Sequence, residues 1–245
     1  MKGVILAGGL GRRLEPLTRI TNKHLLPVYN KPMIFYPLQT LVDAGITEVL
    51  IVTGGNSAGD FLRLLGNGEE FGLKDLRYAY QNGERGIADA LRLAENFVDG
   101  GRFVVILGDN VTDVSIRPFV EKFRKQPAGA RILLKKVPDP HRFGVAELKG
   151  QKVVSIKEKP KRPRSGYIVT GIYMYDAQVF DFIKGLKLSR RGEMEITDVN
   201  NMYLRRGQLY YDILKGQWTD CGTFKSLFRA NQIIARRFSY YARTG

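Results

Sequence analysis

The sequence predicts a doubly wound α/β fold with a β-rich extension in its second half. Three observations predict it. Short, nearly continuous, β-branched runs recur in the first half, as in parallel strands covered on both faces. Segments with apolar residues at helical spacing alternate with those runs. After Asp109 the alternation gives way to strand-length runs separated by turn residues.

Taken in order, Val4-Ile5-Leu6 is the first strand, Met33 to Ala44 a helix and Val49 to Val52 the next strand. Leu76 to Tyr80 is a strand that ends at Gln81, and Gly86 opens the helix Ile87 to Phe97. Ala90, Leu91, Ala94 and Phe97 fall largely on one side of that helix. Phe103 to Leu107 is the strand that leads to Asp109. Further strands are expected at Arg131 to Val137, Gly144 to Leu148, Lys152 to Ile156 and Val169 to Tyr175. Gly150-Gln151 fits a tight hairpin between two of them. Basic, proline-rich Lys157 to Arg164 is expected to be a loop, because proline interrupts ladders and helices. Helices return at Ala177 to Ile183, Ile196 to Arg205 and Phe224 to Phe238. No repeat or linker-like change of composition divides the chain, so the 245 residues read as one unit.

Composition excludes several classes. Hydrophobic residues make up 44% of the chain, enough for a sizeable core and too many for a disordered protein. No stretch approaches the roughly 18 apolar residues of a membrane span. The first apolar run is too short for a secretory signal. A single cysteine, Cys221, excludes an internal disulfide, and His24 and His141 are too few for a Cys/His zinc site. A soluble protein of a reducing cytoplasm is expected. Lys and Arg number 39 against 24 Asp and Glu, a net charge of +15. Nucleic acid, polyphosphate ligands and anionic surfaces are the partners that this excess suggests.

The most informative stretch is Leu6-Ala7-Gly8-Gly9-Leu10-Gly11-Arg12-Arg13-Leu14. A strand runs into glycines and then into paired arginines. Glycines let a backbone approach a ligand closely and turn its N–H groups toward an anion, and arginines add charge with fork geometry. A P-loop would end in Gly-Lys-Ser/Thr, which is absent. A dinucleotide fingerprint would need glycine where Leu14 stands and an acid near Tyr29, Asn30 and Lys31. A plain strand-to-helix turn needs neither three glycines nor two arginines.

This loop, with Pro16-Leu17-Thr18, Thr21-Asn22-Lys23 and Leu26-Pro27-Val28, resembles the N-terminal signature of the sugar-1-phosphate nucleotidyltransferases. The resemblance continues through Gln81, Gly108-Asp109-Asn110, Phe143-Gly144-Val145, Glu158-Lys159-Pro160, Val169-Thr170-Gly171 and Glu195-Ile196-Thr197-Asp198. It ends at Trp218-Thr219-Asp220-Cys221-Gly222-Thr223, so it covers nearly the whole chain in the family's order. The resemblance implies a Rossmann-like sheet of the nucleotide-diphospho-sugar transferase type. About 1–110 would form the nucleotide-binding half, about 111–225 the sugar-phosphate half and about 223–241 a C-terminal helix. It also implies the activity: dTTP and glucose 1-phosphate joined with release of pyrophosphate, assisted by Mg²⁺. Substitution of UTP or another hexose 1-phosphate is the first alternative.

The family's positions imply the site residue by residue. Arg13, Lys23 and Asp109 would be catalytic, the first two against the leaving pyrophosphate. Leu6, Gly8, Gly9, Gly11, Gln81 and Gly86 would complete the nucleotide site, with Gln81 and the Gly86 backbone on the pyrimidine edge. Asn110, Gly144, Glu158, Val169 and Thr170 would contact the sugar, and Lys159 and Arg191 its phosphate. Asp109 and Asp220 would be the metal carboxylates. Read by themselves, Asp109 and Gln81 are also ordinary turn residues, Asp220 a helix N-cap and Glu158-Lys159 a solvated pair.

Three positions and one segment depart from the family's common wording. Arg12 replaces a small hydroxyl residue, Phe143 a tyrosine and Cys221 a threonine, and the segment Gln81 to Leu91 differs in its middle. His24 and His141 are expected to be structural or surface residues.

The resemblance further implies that longer relatives carry more C-terminal helices lining a regulatory nucleotide site, so feedback inhibition is not expected of these 245 residues. A homodimer is expected, with a tetramer as the alternative, and neither nucleic acid nor membrane as partner. The rival from another class is a basic nucleic-acid binder, carried by Arg205-Arg206, Arg236-Arg237 and the tail Ser239 to Arg243.

Overall fold

The computed structural model describes residues 1–244, with their side chains except at 56 and 238–244. The aromatic and basic side chains of 239–243, which carry much of the nucleic-acid reading, lie outside the described residues. The chain runs β1 (Lys2–Ala7), β2 (Pro27–Val28), β3 (Lys31–Pro32), α1 (Phe35–Asp43), β4 (Glu48–Gly54), α2 (Ala58–Leu65) and β5 (Asp75–Gln81). It continues through α3 (Ile87–Arg92), α4 (Glu95–Val98), β6 (Phe103–Leu107), β7 (Asn110–Thr112), α5 (Arg117–Lys125) and β8 (Ala130–Lys136). The remainder is β9 (Gly144–Lys149), β10 (Lys152–Glu158), β11 (Tyr167–Tyr175), α6 (Gln178–Lys184), α7 (Ile196–Arg205), β12 (Leu209–Ile213), β13 (Trp218–Asp220) and α8 (Phe224–Thr244).

The described residues build a nine-stranded mixed sheet. β1 lies inside it, parallel to β4 on one side and β6 on the other, with Ile5 opposite Ile51 and Ile106. β5 extends the sheet beyond β4, and β11 runs antiparallel to β6. β8 and β12 continue past β11, while the hairpin β9–β10 joins at Ile168, opposite Val145. The chain winds from β1 through β4 to β5, then crosses back to β6. That reversal opens a crevice beyond the carboxyl ends of β1 and β6, where doubly wound sheets bind ligands.

Alternation along β1 explains why its run is apolar throughout. Val4 and Leu6 join the core cluster under α3, α4, α6 and α7, with Leu91, Phe97, Val179 and Tyr203. Ile5 and Ala7 join the opposite cluster under α1, α2 and α5, with Leu38, Phe61 and Phe123. A third, smaller cluster unites Leu14, Val28, Met33, Val111, Cys221, Ala230 and Ile234.

The expected elements are present, with shifts that have local causes. The helix expected over Ile87 to Phe97 divides into α3 and α4, because Leu93 and Ala94 bond back three residues, to Ala90 and Leu91. That tightening leaves both Phe97 and Val98 buried. The loop expected from Lys157 begins at Lys159 instead, since Lys157 and Glu158 pair with Val145 and Gly144. Gly150-Gln151 makes the expected tight turn, with Lys152 opposite Lys149.

Candidate active site

β1 delivers the glycine loop to the crevice, and the tight spaces there account for its composition. A Cβ on Gly8 would meet Gln81 Oε1 at 2.8 Å. Gly11 has φ +70°, and a Cβ there would meet Lys23 Cβ at 2.8 Å. Loop and lysine therefore pack against each other. Asn22 caps the short turn Lys23–Leu25 by accepting the His24 N–H at 2.9 Å, which fixes where Lys23 departs.

Lys23 Nζ donates to Asp109 Oδ2 at 2.6 Å, and Asn110 Nδ2 donates to Asp109 Oδ1 at 3.0 Å. Burial alone would raise the Asp109 carboxyl, but Lys23 and its hydrogen bonds win and hold it at about 2. His24, fully buried beside this pair, is lowered to about 3, first by burial and then by Lys23. Asn22 Oδ1 can only accept, so the His24 Nδ1 at 2.7 Å carries the proton. His24 is a neutral structural residue, as expected, and His141 pairs with Asp139 at the surface.

β13 brings the second carboxylate. Its pairing with β7 sets Asp220 opposite Asn110, and the Cys221 N–H donates to Asp109 O at 2.8 Å. Asp220 is not the cap of α8; Thr223 is, through bonds to Ser226. Burial raises the Asp220 carboxyl and Asp109 adds to the rise, while Arg142 Nη2, 3.1 Å from Oδ1, opposes it. Among the described residues no group of three His, Cys, Asp or Glu side chains is placed to hold a metal ion. Two nearby carboxylates, of which Asp109 disfavours the charge of Asp220, are of the chemical type that suits a hard cation.

Gln81 ends β5 and is 6% exposed. Its Nε2 donates to Gly86 O at 3.2 Å and to Asp89 Oδ2 at 3.0 Å. On the opposite wall Glu158 ends β10, and Thr197 Oγ1 donates to its Oε2 at 2.5 Å. Arg191 Nη1 and Lys159 Nζ lie 3.5 and 3.7 Å from Glu158 Oε1, and Arg191 also pairs with Glu193 and Glu195.

These groups share one cavity of about 800 Å³. Of the residues expected to bind nucleotide, its wall includes Leu6, Gly8, Gly9, Arg13, Lys23, Gln81 and Gly86. Asp109, Asn110, Gly144, Glu158, Lys159, Val169, Arg191 and Asp220 are the other expected residues on it. Arg13 makes no ion pair within 4.0 Å with any described residue. Two expected residues stand apart from the wall. Val169, Gly171 and Tyr173 face the cavity at the two-residue period of β11, which turns Thr170 away to donate to Leu133 O at 2.9 Å. Gly11, packed against Lys23 and Thr18, shapes the loop from within. Asn110 reaches the cavity, yet its Oδ1 already accepts from Gly171 N and Trp218 Nε1.

Arg142, Glu84 and Asp89 escaped sequence reasoning. Arg142 meets Asp220 across 78 positions, and Glu84 meets Leu10 across 74, distances that no local spacing reveals. Arg12 pairs with Glu84 at 3.3 Å, so two of the departures from the family's wording face each other. Phe143, another departure, packs edge-on against Trp218 at 5.8 Å. Cys221 is a buried small residue behind Asp220, with its thiol pushed well up by burial.

Residues 2–237 match the family model described as nucleotidyl transferase. A glucose-1-phosphate thymidylyltransferase of Actinoplanes sp. is 47% identical over 94% of this chain and 77% of its own length. That of Neisseria meningitidis is 44% identical over 96% of this chain and 82% of its own. The structure is similar, at TM-score 0.91 and 54% identity, to a Bacillus anthracis protein assigned as a glucose-1-phosphate thymidylyltransferase in complex with a sucrose. That match covers 95% of this chain and 94% of the other. A UDP-glucose pyrophosphorylase complexed with UDP-glucose shares the fold at TM-score 0.84 and 22% identity, over 96% of this chain and 98% of its own.

Proposed function

The chain belongs to the nucleotidyl transferase family, and on that premise we infer that it joins dTTP to glucose 1-phosphate, giving dTDP-glucose and pyrophosphate. The observation that carries this reading is the single cavity that holds the glycine loop, the Lys23–Asp109 pair and Gln81 at one end and Glu158 with Arg191 at the other.

An oxygen of the sugar phosphate attacks the α-phosphorus, and the bond to the β-phosphate opens with its electron pair leaving on pyrophosphate. The attacking oxygen is already anionic, so no base need remove a proton. A buried neutral His24 agrees with that. Catalysis then consists of alignment and of charge neutralisation. Arg13, which forms no ion pair within 4.0 Å among the described residues, is placed to meet the leaving pyrophosphate. Lys23 is held by Asp109 close to the glycine loop and answers the same charge. Asp109 and Asp220 are the residues that would hold Mg²⁺, which supplies neutralisation of phosphate charge when bound. Gln81 and Gly86 take the base, Gly144, Glu158 and Val169 the sugar, and Lys159 and Arg191 its phosphate.

UTP is the second reading, because Gln81 meets an imide edge that thymine and uracil share. A cytoplasmic homodimer accompanies either reading. Pyrophosphate release measured with dTTP, UTP, CTP, ATP and GTP against several sugar phosphates tests both. Turnover with dTTP and glucose 1-phosphate is expected to lead; turnover confined to a purine triphosphate would sink the assignment.

A further inference from the structure

We propose that Asp89 is the positioning residue that turns Gln81 into a pure hydrogen-bond acceptor and thereby selects triphosphates whose base carries a ring N–H. The inference rests on the nucleotide reading given above and deepens it.

The two ends of the Gln81 amide have different neighbours. On one side stand the Gly86 carbonyl at 3.2 Å and the Asp89 carboxylate at 3.0 Å, and both can only accept. The nitrogen end must face them, because an oxygen there would meet two acceptors at once. Both amide hydrogens are thereby occupied. The oxygen end lies against Gly8, accepts from no described residue and is not among the sealed, unpartnered atoms. It opens on the cavity that Gln81 lines.

Asp89 is itself fixed. It is 6% exposed, it sits in the first turn of α3, and its other oxygen pairs with Arg92 Nη2 at 3.2 Å. A buried ionised carboxylate is a strong acceptor and cannot donate.

The consequence is a choice between ring nitrogens. Thymine and uracil present N3–H, which the Gln81 oxygen accepts. Cytosine presents a bare N3, and two acceptors then face each other without a proton. A freely turning amide would serve either base by flipping. With Asp89 in place it cannot flip, so discrimination against cytosine resides in a residue that does not touch the base. Thymine and uracil are not told apart by this device.

The test is the ratio of kcat/KM for dTTP to that for dCTP, with glucose 1-phosphate and Mg²⁺. Asp89→Ala is expected to lower the ratio at least about tenfold, chiefly through a lower KM for dCTP, with the constants for dTTP little changed. Asp89→Leu, which fills the space without accepting, is expected to behave alike and serves if the alanine variant does not fold. In a Gln81→Ala background the same change is expected to leave the ratio where Gln81→Ala alone puts it. An unmoved ratio in Asp89→Ala or Asp89→Leu, with dTTP turned over, overturns the Asp89 assignment alone. An equal drop in the Gln81→Ala background overturns it too, since Asp89 would then act without Gln81. If the unaltered protein turns over no pyrimidine triphosphate, the nucleotide reading and this inference fall together.

Discussion

Glu84 Oε1 accepts the Leu10 N–H at 2.9 Å, and its second oxygen lies 3.3 Å from Arg12 Nη2. A side-chain carboxylate thus occupies a donor of the very loop expected to face phosphate. Triphosphate and Glu84 compete for it. The pair is exposed, and such contacts are worth roughly 0.2–1 kcal/mol. Glu84→Gln is expected to lower KM for dTTP about two- to fivefold, with kcat nearly unchanged, in initial-rate assays. A higher KM would mean that the strap assembles the loop instead of blocking it.

Lys23→Met leaves Asp109 largely buried without its counter-charge. Breaking a buried pair from one side costs roughly 3–5 kcal/mol, so Tm is expected to fall in metal-free buffer. Mg²⁺ is expected to restore much of that loss by standing in for the ammonium group. The rate is not expected to return with it: kcat should stay down by about a hundredfold or more, if the lysine meets the polyphosphate as proposed. Thermal unfolding with and without Mg²⁺, alongside the pyrophosphate-release assay, separates the two effects.

His24 titrates at about 3 in the folded chain, against about 6.5 for a free histidine. Between those values the unfolded chain binds a proton that the folded chain refuses. Stability from this group is therefore full above about pH 6.5 and declines as pH falls toward 3. Asp109, held at about 2, adds a second decline below about pH 3.9 in the same direction. Urea midpoints measured from pH 7 to 4 are expected to drop, and His24→Gln is expected to flatten the drop. An equally steep drop in that variant would move the cause elsewhere.

Arg142 holds Asp220 toward its ionised form, against burial and Asp109. Arg142→Ala removes that restraint and raises the Asp220 pKa further. The acid limb of the kcat profile should move to higher pH, with the alkaline limb in place. An acid limb that stays put would show that ionisation of Asp220 does not limit the rate.

Much of the fold was legible because its signals are local. The runs at Val4, Val49 and Phe103 are apolar on both faces, which a central parallel strand needs and little else does. β12 was not legible, since all five of its residues are half-buried and its run lacks clear alternation. β7 and β13 are three residues each, too short for a period to show. In the site, residues inside contiguous motifs could be named, whereas Arg142 and Asp89 could not. Their importance lies in partners, Asp220 and Gln81, that only folding supplies. Thr170 failed for a simpler reason: a motif names neighbours in sequence, and a strand sends neighbours to opposite faces.

The small third cluster has a mechanical side. Ala230 and Ile234 of α8 share that cluster with Leu14, at the end of the glycine loop, and with Cys221, which follows Asp220. One helix is thus a lever with two short arms, one ending at the glycine loop and one beside a carboxylate. A load placed on its outer face, where Phe224 and Phe228 stand exposed one turn apart, would reach both through the one cluster.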